Sequence, residues 1–128
     1  MAQQRTSGQW VPTALRVVLY LQAALATFVG LAAVLGLEGF AHDAEDGRRI
    51  GVGFWAIAVI MLTVVIPQFK REGERRILLV PLAWTAFHLG DSLYELLVIS
   101  DAAFLPAVVI EVVFLAIYLA GYKALSRQ

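Results

Sequence analysis

Four uninterrupted apolar stretches dominate this chain of 128 residues, at about residues 15–37, 50–68, 77–100 and 104–122. Each is close to the roughly 20 residues with which an α-helix crosses about 30 Å of hydrocarbon. Their apolar residues run on without alternation, which favours helices over the strands of a membrane barrel. Hydrophobic residues make up 60% of the sequence and charged residues only 16%, which is too little polar surface for a soluble domain. We therefore predict an all-α integral membrane four-helix bundle in which residues 1–128 form one domain.

The distribution of basic residues predicts how the bundle is oriented. Eight of the ten lie near the chain termini or between the second and third stretches: Arg5, Arg16, Lys70, Arg71, Arg75, Arg76, Lys123 and Arg127. Only Arg48 and Arg49 lie on the other side, so the positive-inside rule predicts that both termini face the cytoplasm (N-in, C-in). The first stretch is too long for a removable signal peptide, and we expect it to be retained as an anchor.

The third stretch carries ionisable side chains on one face. At about 100° per residue, Trp84, His88, Asp91 and Glu95 fall on one stripe of a helix. Glu111 lies near the middle of the fourth stretch, at about the depth of Asp91, and the short connection makes the two helices antiparallel neighbours. We therefore predict a cluster of His88, Asp91 and Glu111 that is capped by Glu95.

The cost of burying charge indicates that this cluster faces the bundle interior. An ionised side chain at the centre of a bilayer costs roughly 2.5–3.5 kcal/mol on insertion scales. One histidine offsets only one carboxylate, so at least one acid of the cluster should be protonated near neutral pH. The predicted catalytic residues are His88 as a base and Asp91 or Glu111 as a proton donor. The alternative is structural, with these groups hydrogen-bonding the third helix to the fourth.

Five further residues are predicted to bind a ligand around this cluster. Trp84 and Glu95 share its face, Tyr94 and Tyr118 offer hydroxyl groups together with Ser92, and Arg49 could hold the phosphate of an anionic lipid. The alternative for Arg49 is that it balances the acidic loop just before it.

Small residues predict where the helices approach each other closely. Gly51 and Gly53 open the second stretch, and their position suggests close contact with a neighbouring helix or a lipid headgroup. One side of the first stretch is lined by small side chains, which favours close packing in the bundle over a dimer interface: Ala26, Gly30 and Ala33. Pro67 is expected to end the second helix.

Composition limits the remaining chemistry. The absence of cysteine excludes disulfides and thiolate metal sites, and two histidines are too few for a multi-histidine centre. The loop that contains Glu38 and His42 is expected to be a solvated surface and not a metal site. We predict no cofactor and no metal, and the net charge of zero argues against nucleic acid as a partner.

Two segments carry a resemblance to a known group of proteins. They are HLGDSLYELLVISD at 88–101 and VVIEVVFLAIYLAGY at 108–122, which follow a glycine-opened second stretch. Their layout over residues 45–122 resembles the small bacterial four-helix membrane proteins of the DoxX-like type. Arg49 with Gly51, and Glu111, match features that are frequent there, whereas His88 and Asp91 replace a more basic element. The resemblance implies the fold and a multi-pass location in the bacterial cytoplasmic (inner) membrane, but no mechanism.

These observations leave three functional hypotheses. The first is a binding or accessory protein that holds a lipid-like or hydrophobic small molecule, with membrane lipid, a second copy or a membrane complex as partner. The second is an acid/base enzyme acting on a lipid-soluble substrate, for which the residue types, but not their order, are similar to membrane sterol isomerases. The third is a proton-coupled transporter acting as a dimer.

Overall fold

The chain is helical throughout the part that its structure describes. The computed structural model describes residues 2–37, 40 and 43–126, with side chains from Trp10 onward, and it contains no strand within them. Five α-helices are joined by short π and 3₁₀ segments: α1 (Ala2–Val34), α2 (Ala44–Ile60), a π segment (Met61–Val65), α3 (Ile66–Glu72), a 3₁₀ turn (Arg75–Leu78), α4 (Leu79–Leu97), a 3₁₀ turn (Ala102–Phe104) and α5 (Leu105–Leu125).

Four helical segments of the described chain are long and apolar enough to cross a membrane. They are Trp10–Val34, Ala44–Glu72, Arg75–Leu97 and Ala102–Leu125. The predicted all-α fold with four long apolar helices is therefore confirmed. The predictions that concern Glu38, His42 and Arg127, and the side chain of Arg5, lie outside the described residues.

The prediction that Pro67 ends the second helix is wrong. Pro67 lies in the first turn of α3, and the helix continues through it to Glu72. In a regular helix the proline ring would clash with the carbonyl four residues back. The π segment lies directly before Pro67, and the Ile66 N–H donates to the carbonyl of Met61, five residues back. We attribute the continuity of the helix to this wider turn. In a π turn the carbonyl four residues back no longer lies where it would clash with the proline ring.

Two helical hairpins form the bundle, and each is held by close packing. α1 packs along α2, and α4 packs along α5 as an antiparallel neighbour, as predicted. We call the end with the α1–α2 and α4–α5 connections the distal end, and the end with both chain termini the terminal end. At the distal end, a Cβ atom on Gly51 would lie 2.7 Å from the carbonyl oxygen of Gly30. The predicted close packing of the small residues on α1 is confirmed, because Ala26 and Ala33 are buried as well.

A second close contact joins the hairpins at the terminal end. A Cβ atom on Gly121 of α5 would lie 2.6 Å from a methyl group of Leu15 on α1. Large buried side chains fill this half of the bundle: Leu15, Leu19, Met61, Val65, Ile66, Phe69 and Leu78. α1 is therefore held against α5 at the terminal end and against α2 at the distal end.

Candidate functional site

A cavity lies between the two hairpins in the distal half of the bundle. Its volume is about 410 Å³. Most of its wall is apolar, and the side chains that define it come from all four long helices: Gln22 and Ala26 of α1, Phe54 of α2, Trp84 and His88 of α4, and Glu111 and Phe114 of α5. The cavity has the size and the mostly apolar lining that are typical of sites for small molecules.

Aromatic rings form the wall between α2 and α4. The ring of Phe54 lies edge-on to His88, with 4.4 Å between centroids, and edge-on to Trp84 at 5.6 Å. Trp84 and His88 are themselves 5.7 Å apart, because positions four apart lie one above the other on a helix. Edge-to-face contacts of this kind are favourable for aromatic pairs. The predicted ligand-binding residue Trp84 therefore lines the cavity and fixes the position of the histidine ring.

The structure brings His88 and Glu111 into direct contact in the cavity wall. Nδ1 of His88 pairs with Oε1 of Glu111, and both side chains are largely buried, at 16% and 13% exposure. Ser92, one turn after His88 on α4, donates from its hydroxyl to the same Oε1 over 3.1 Å. Because α4 and α5 are adjacent and antiparallel, residues at matching depth can form such a pair. Two of the three predicted catalytic residues are thus joined by a hydrogen bond.

Asp91 does not join this pair, contrary to the predicted cluster. Its side chain is exposed at the edge of the cavity, where Arg49 is close enough for a favourable electrostatic interaction. Ser92, which is only 1% exposed, occupies the position that faces α5 instead. The face of α4 that carries Trp84, His88 and Asp91 is directed toward α2. α5 packs against the adjacent face of α4, on which Ser92 lies. Glu95 is half-buried on the same stripe and also interacts with the charge of Arg49.

The remaining predicted ligand-binding residues lie outside the cavity. Arg49 is 71% exposed and forms a salt bridge with Asp46 at 2.6 Å, which supports the alternative that it balances the acidic loop. Tyr94 is 53% exposed on the outer surface of α4. Tyr118 is fully buried and lies below the cavity.

A hydrogen-bonded layer that sequence reasoning missed forms the floor of the cavity. Gln22 donates to the hydroxyl of Thr85 over 2.8 Å and accepts from the hydroxyl of Tyr118 over 2.6 Å, linking α1, α4 and α5. Thr85 donates in turn to the carbonyl of Pro81 at 2.6 Å. The signal in the sequence was an amide in the middle of an apolar stretch, because a buried amide needs a hydrogen-bond partner. Below this layer begins the packed core of the terminal half.

Comparisons with known proteins give no relative for this chain. No family model matches the sequence, and no curated protein and no solved structure matches it at a significant level. The resemblance to DoxX-like proteins therefore stays a prediction. Function has to be argued from the cavity and its polar groups.

Proposed function

We propose that this chain is a multi-pass membrane protein that binds a hydrophobic small molecule in its distal cavity. The observation that carries the proposal is an apolar cavity of about 410 Å³ with a buried His88–Glu111 pair in its wall. Apolar cavities with a few convergent polar groups are the usual form of small-molecule sites. A polar pair that served only to join α4 to α5 would not require an adjoining cavity.

The shape of the bundle supports binding over transport. The terminal half is filled by buried side chains such as Leu19 and Met61, and the layer of Gln22, Thr85 and Tyr118 lies between that core and the cavity. Within one copy of the chain, a path for protons would have to continue through this half.

The mouth of the cavity favours a ligand that arrives from the lipid. Phe28 of α1 and Ile110 of α5 line the cavity and are also 58% and 46% exposed. They therefore connect the cavity to the outer surface of two helices that are long and apolar enough to cross a membrane. A lipid-soluble molecule could enter there without passing through water.

The proposed location is the bacterial cytoplasmic membrane, with both termini inside. The chain has no cysteine, so single cysteines can be introduced as reporters. We expect a membrane-impermeant maleimide to label Ala44→Cys at the distal end in intact cells. Ser126→Cys at the terminal end should react only after the cells are opened. Equal labelling of both variants in intact cells would refute the N-in, C-in orientation.

Recovery of the bound molecule from purified protein tests the binding proposal. Ala107 of α5 lines the cavity, so Ala107→Phe should fill part of it. Ala116→Phe is the matched control, because Ala116 lies on the exposed side of the same helix. We expect mass spectrometry of gently extracted protein to find a hydrophobic molecule with the wild type and with Ala116→Phe. Ala107→Phe should retain at least tenfold less. Equal recovery from all three proteins would contradict the proposal.

The contact between His88 and Glu111 also supports a second function, that of an acid/base enzyme. A histidine paired with a carboxylate is a common general base, and here both groups border the cavity. The same extraction separates the two functions. A binding protein should yield the same compound from the wild type and from His88→Gln. An enzyme should yield its unconverted substrate from His88→Gln, which chromatography would distinguish from the product even at equal mass.

A further inference from the structure

The terminal end of the bundle carries a surplus of positive charge. Six basic side chains of the described chain lie there: Arg16, Lys70, Arg71, Arg75, Arg76 and Lys123. Only two described acids, Glu72 and Glu74, share this end. None of the six basic side chains forms a salt bridge within the described part of the chain, whereas Arg49 at the distal end pairs with Asp46. The terminal end therefore carries cations that can hold an anion.

The two acids of this end lie on the side of α5. Glu72 and Glu74 border a polar pocket together with Arg75, and Leu125 and Ser126 at the end of α5 form its other side. The acids can therefore balance the charge of Arg75. They are poorly placed to balance basic residues that lie against α1, on the other side of α3.

Two of the cations flank a tyrosine on the outer surface where α1 packs against α3. The ammonium group of Lys70 lies 5.9 Å from the centre of the Tyr20 ring, a distance at which a ring face attracts a cation. Arg16 lies one turn before Tyr20 on the same face of α1, and it donates to the hydroxyl of Thr13 over 3.4 Å. Lys70 is exposed, Tyr20 is 47% exposed and Arg16 is half-buried. We call Arg16, Tyr20 and Lys70 the α1–α3 patch.

The α1–α3 patch lies at the border of the apolar part of the bundle. Arg16 stands at the start of the first apolar stretch, and Lys70 lies just after the end of the second. Val17 and Leu21 of α1 are 62% and 52% exposed beside it. Basic and tyrosine side chains at this level are typical of the boundary between hydrocarbon and lipid head groups. A partner of the patch therefore needs an anionic head group and apolar chains.

We propose that the α1–α3 patch binds an anionic phospholipid, with Arg16 and Lys70 holding its phosphate. The inference goes beyond the cavity and rests on the proposed location of the chain in a membrane. A guanidinium binds a phosphate through two hydrogen bonds, an ammonium group adds a second positive charge, and the hydroxyl of Tyr20 is a third donor. The acyl chains would lie along Val17 and Leu21. A zwitterionic lipid should bind more weakly, because the patch repels the cation of its head group.

Native mass spectrometry of the full chain in detergent tests this inference. The probes are phosphatidylglycerol and phosphatidylcholine with the same acyl chains, offered in equal amounts. We expect about tenfold more phosphatidylglycerol than phosphatidylcholine to stay bound, since each of the two basic residues favours the anionic head group several-fold. Equal retention of both lipids would overturn the inference. Inorganic phosphate should displace no more lipid than chloride does at equal ionic strength. Displacement by phosphate alone would show that a free anion suffices and would overturn the lipid as partner.

Variants of the two basic residues locate the preference. Arg16→Gln/Lys70→Gln should abolish it, whereas Arg16→Lys/Lys70→Arg keeps both charges and should retain most of it. Lys123→Gln is the matched control and should leave the preference intact. It removes the same charge at the same end, but Lys123 lies on the opposite side of α5 from Gly121, which contacts α1.

The outcomes separate this inference from the proposed cavity function. A preference that persists in Arg16→Gln/Lys70→Gln, or an equal loss in Lys123→Gln, would overturn the patch as the site. If the two lipids bind equally while Ala107→Phe still loses its co-purifying molecule, the lipid inference fails and cavity binding stands. If the preference follows the patch but Ala107→Phe changes nothing, the cavity function fails and the lipid site stands.

Discussion

Replacing His88 with leucine is expected to destabilise the bundle by about 3 kcal/mol, more than any other single change in the cavity wall. The substitution leaves the Glu111 carboxylate buried with Ser92 as its remaining protein partner. Removing one partner of a buried ion pair typically costs about 3–5 kcal/mol, since the other charge stays uncompensated. We take the lower figure because the carboxyl group can be neutralised by a proton. Denaturant unfolding in detergent micelles, followed by circular dichroism, measures the effect.

The double variant provides the control for this prediction. In His88→Leu/Glu111→Leu both polar groups are replaced by apolar side chains, so no buried charge remains. We expect the double variant to lie within about 1 kcal/mol of the wild type, because replacing a whole buried pair by apolar groups is often close to neutral. Glu111→Leu alone should cost less than His88→Leu, since a neutral imidazole is cheaper to bury than a carboxylate. Additive losses in the double variant would show that the two side chains do not act as a pair.

Replacing Gln22 with leucine is expected to cost about 2 kcal/mol, at the upper end of the range for hydrogen bonds between membrane helices. Gln22 is the acceptor for the hydroxyl of Tyr118, which is fully buried. Without it this hydroxyl has no acceptor in the floor of the cavity, and an unsatisfied buried donor costs about 1–3 kcal/mol. The loss of the bond to Thr85 adds to the effect. The same unfolding measurement applies.

Two further variants test whether the loss comes from this hydrogen bond. Adding Tyr118→Phe to Gln22→Leu removes the orphaned hydroxyl, so the double variant should be no less stable than Gln22→Leu alone. Thr27→Val on the same helix is the matched control, because the hydroxyl of Thr27 donates to the carbonyl of Ala23 within its own helix, and the substitution keeps the main-chain carbonyl that accepts from Trp55. It should change the free energy of unfolding by less than about 0.5 kcal/mol. A large effect of Thr27→Val would indicate a general sensitivity of α1 instead.

The sequence was sufficient to predict the helices and one contact between them. Hydrophobicity over about 20 residues located the four long helices, since a helix satisfies the backbone polar groups of such an apolar stretch within the stretch itself. The pairing of His88 with Glu111 followed from their similar depth on adjacent antiparallel helices. Both inferences use local patterns and a very short connection, so they require no knowledge of how the hairpins pack against each other.

The parts that could not be predicted depend on how the helices rotate and on contacts between distant segments. A helical stripe groups Asp91 with His88, but it does not show that Ser92 is the residue that faces α5. The bonds from Gln22 to Thr85 and Tyr118 join positions 63 and 96 residues apart, and no local pattern indicates them. The helix continues through Pro67 because of a π turn, and no pattern in the sequence predicts that turn.

Two close contacts at glycine residues hold α1 in place at opposite ends of the bundle. Gly51 lets the main chains of α1 and α2 approach each other at the distal end, whereas Gly121 of α5 makes room for the side chain of Leu15 of α1 at the terminal end. A side chain added at either glycine would therefore push α1 away from its neighbour and change how α1 lies along the bundle.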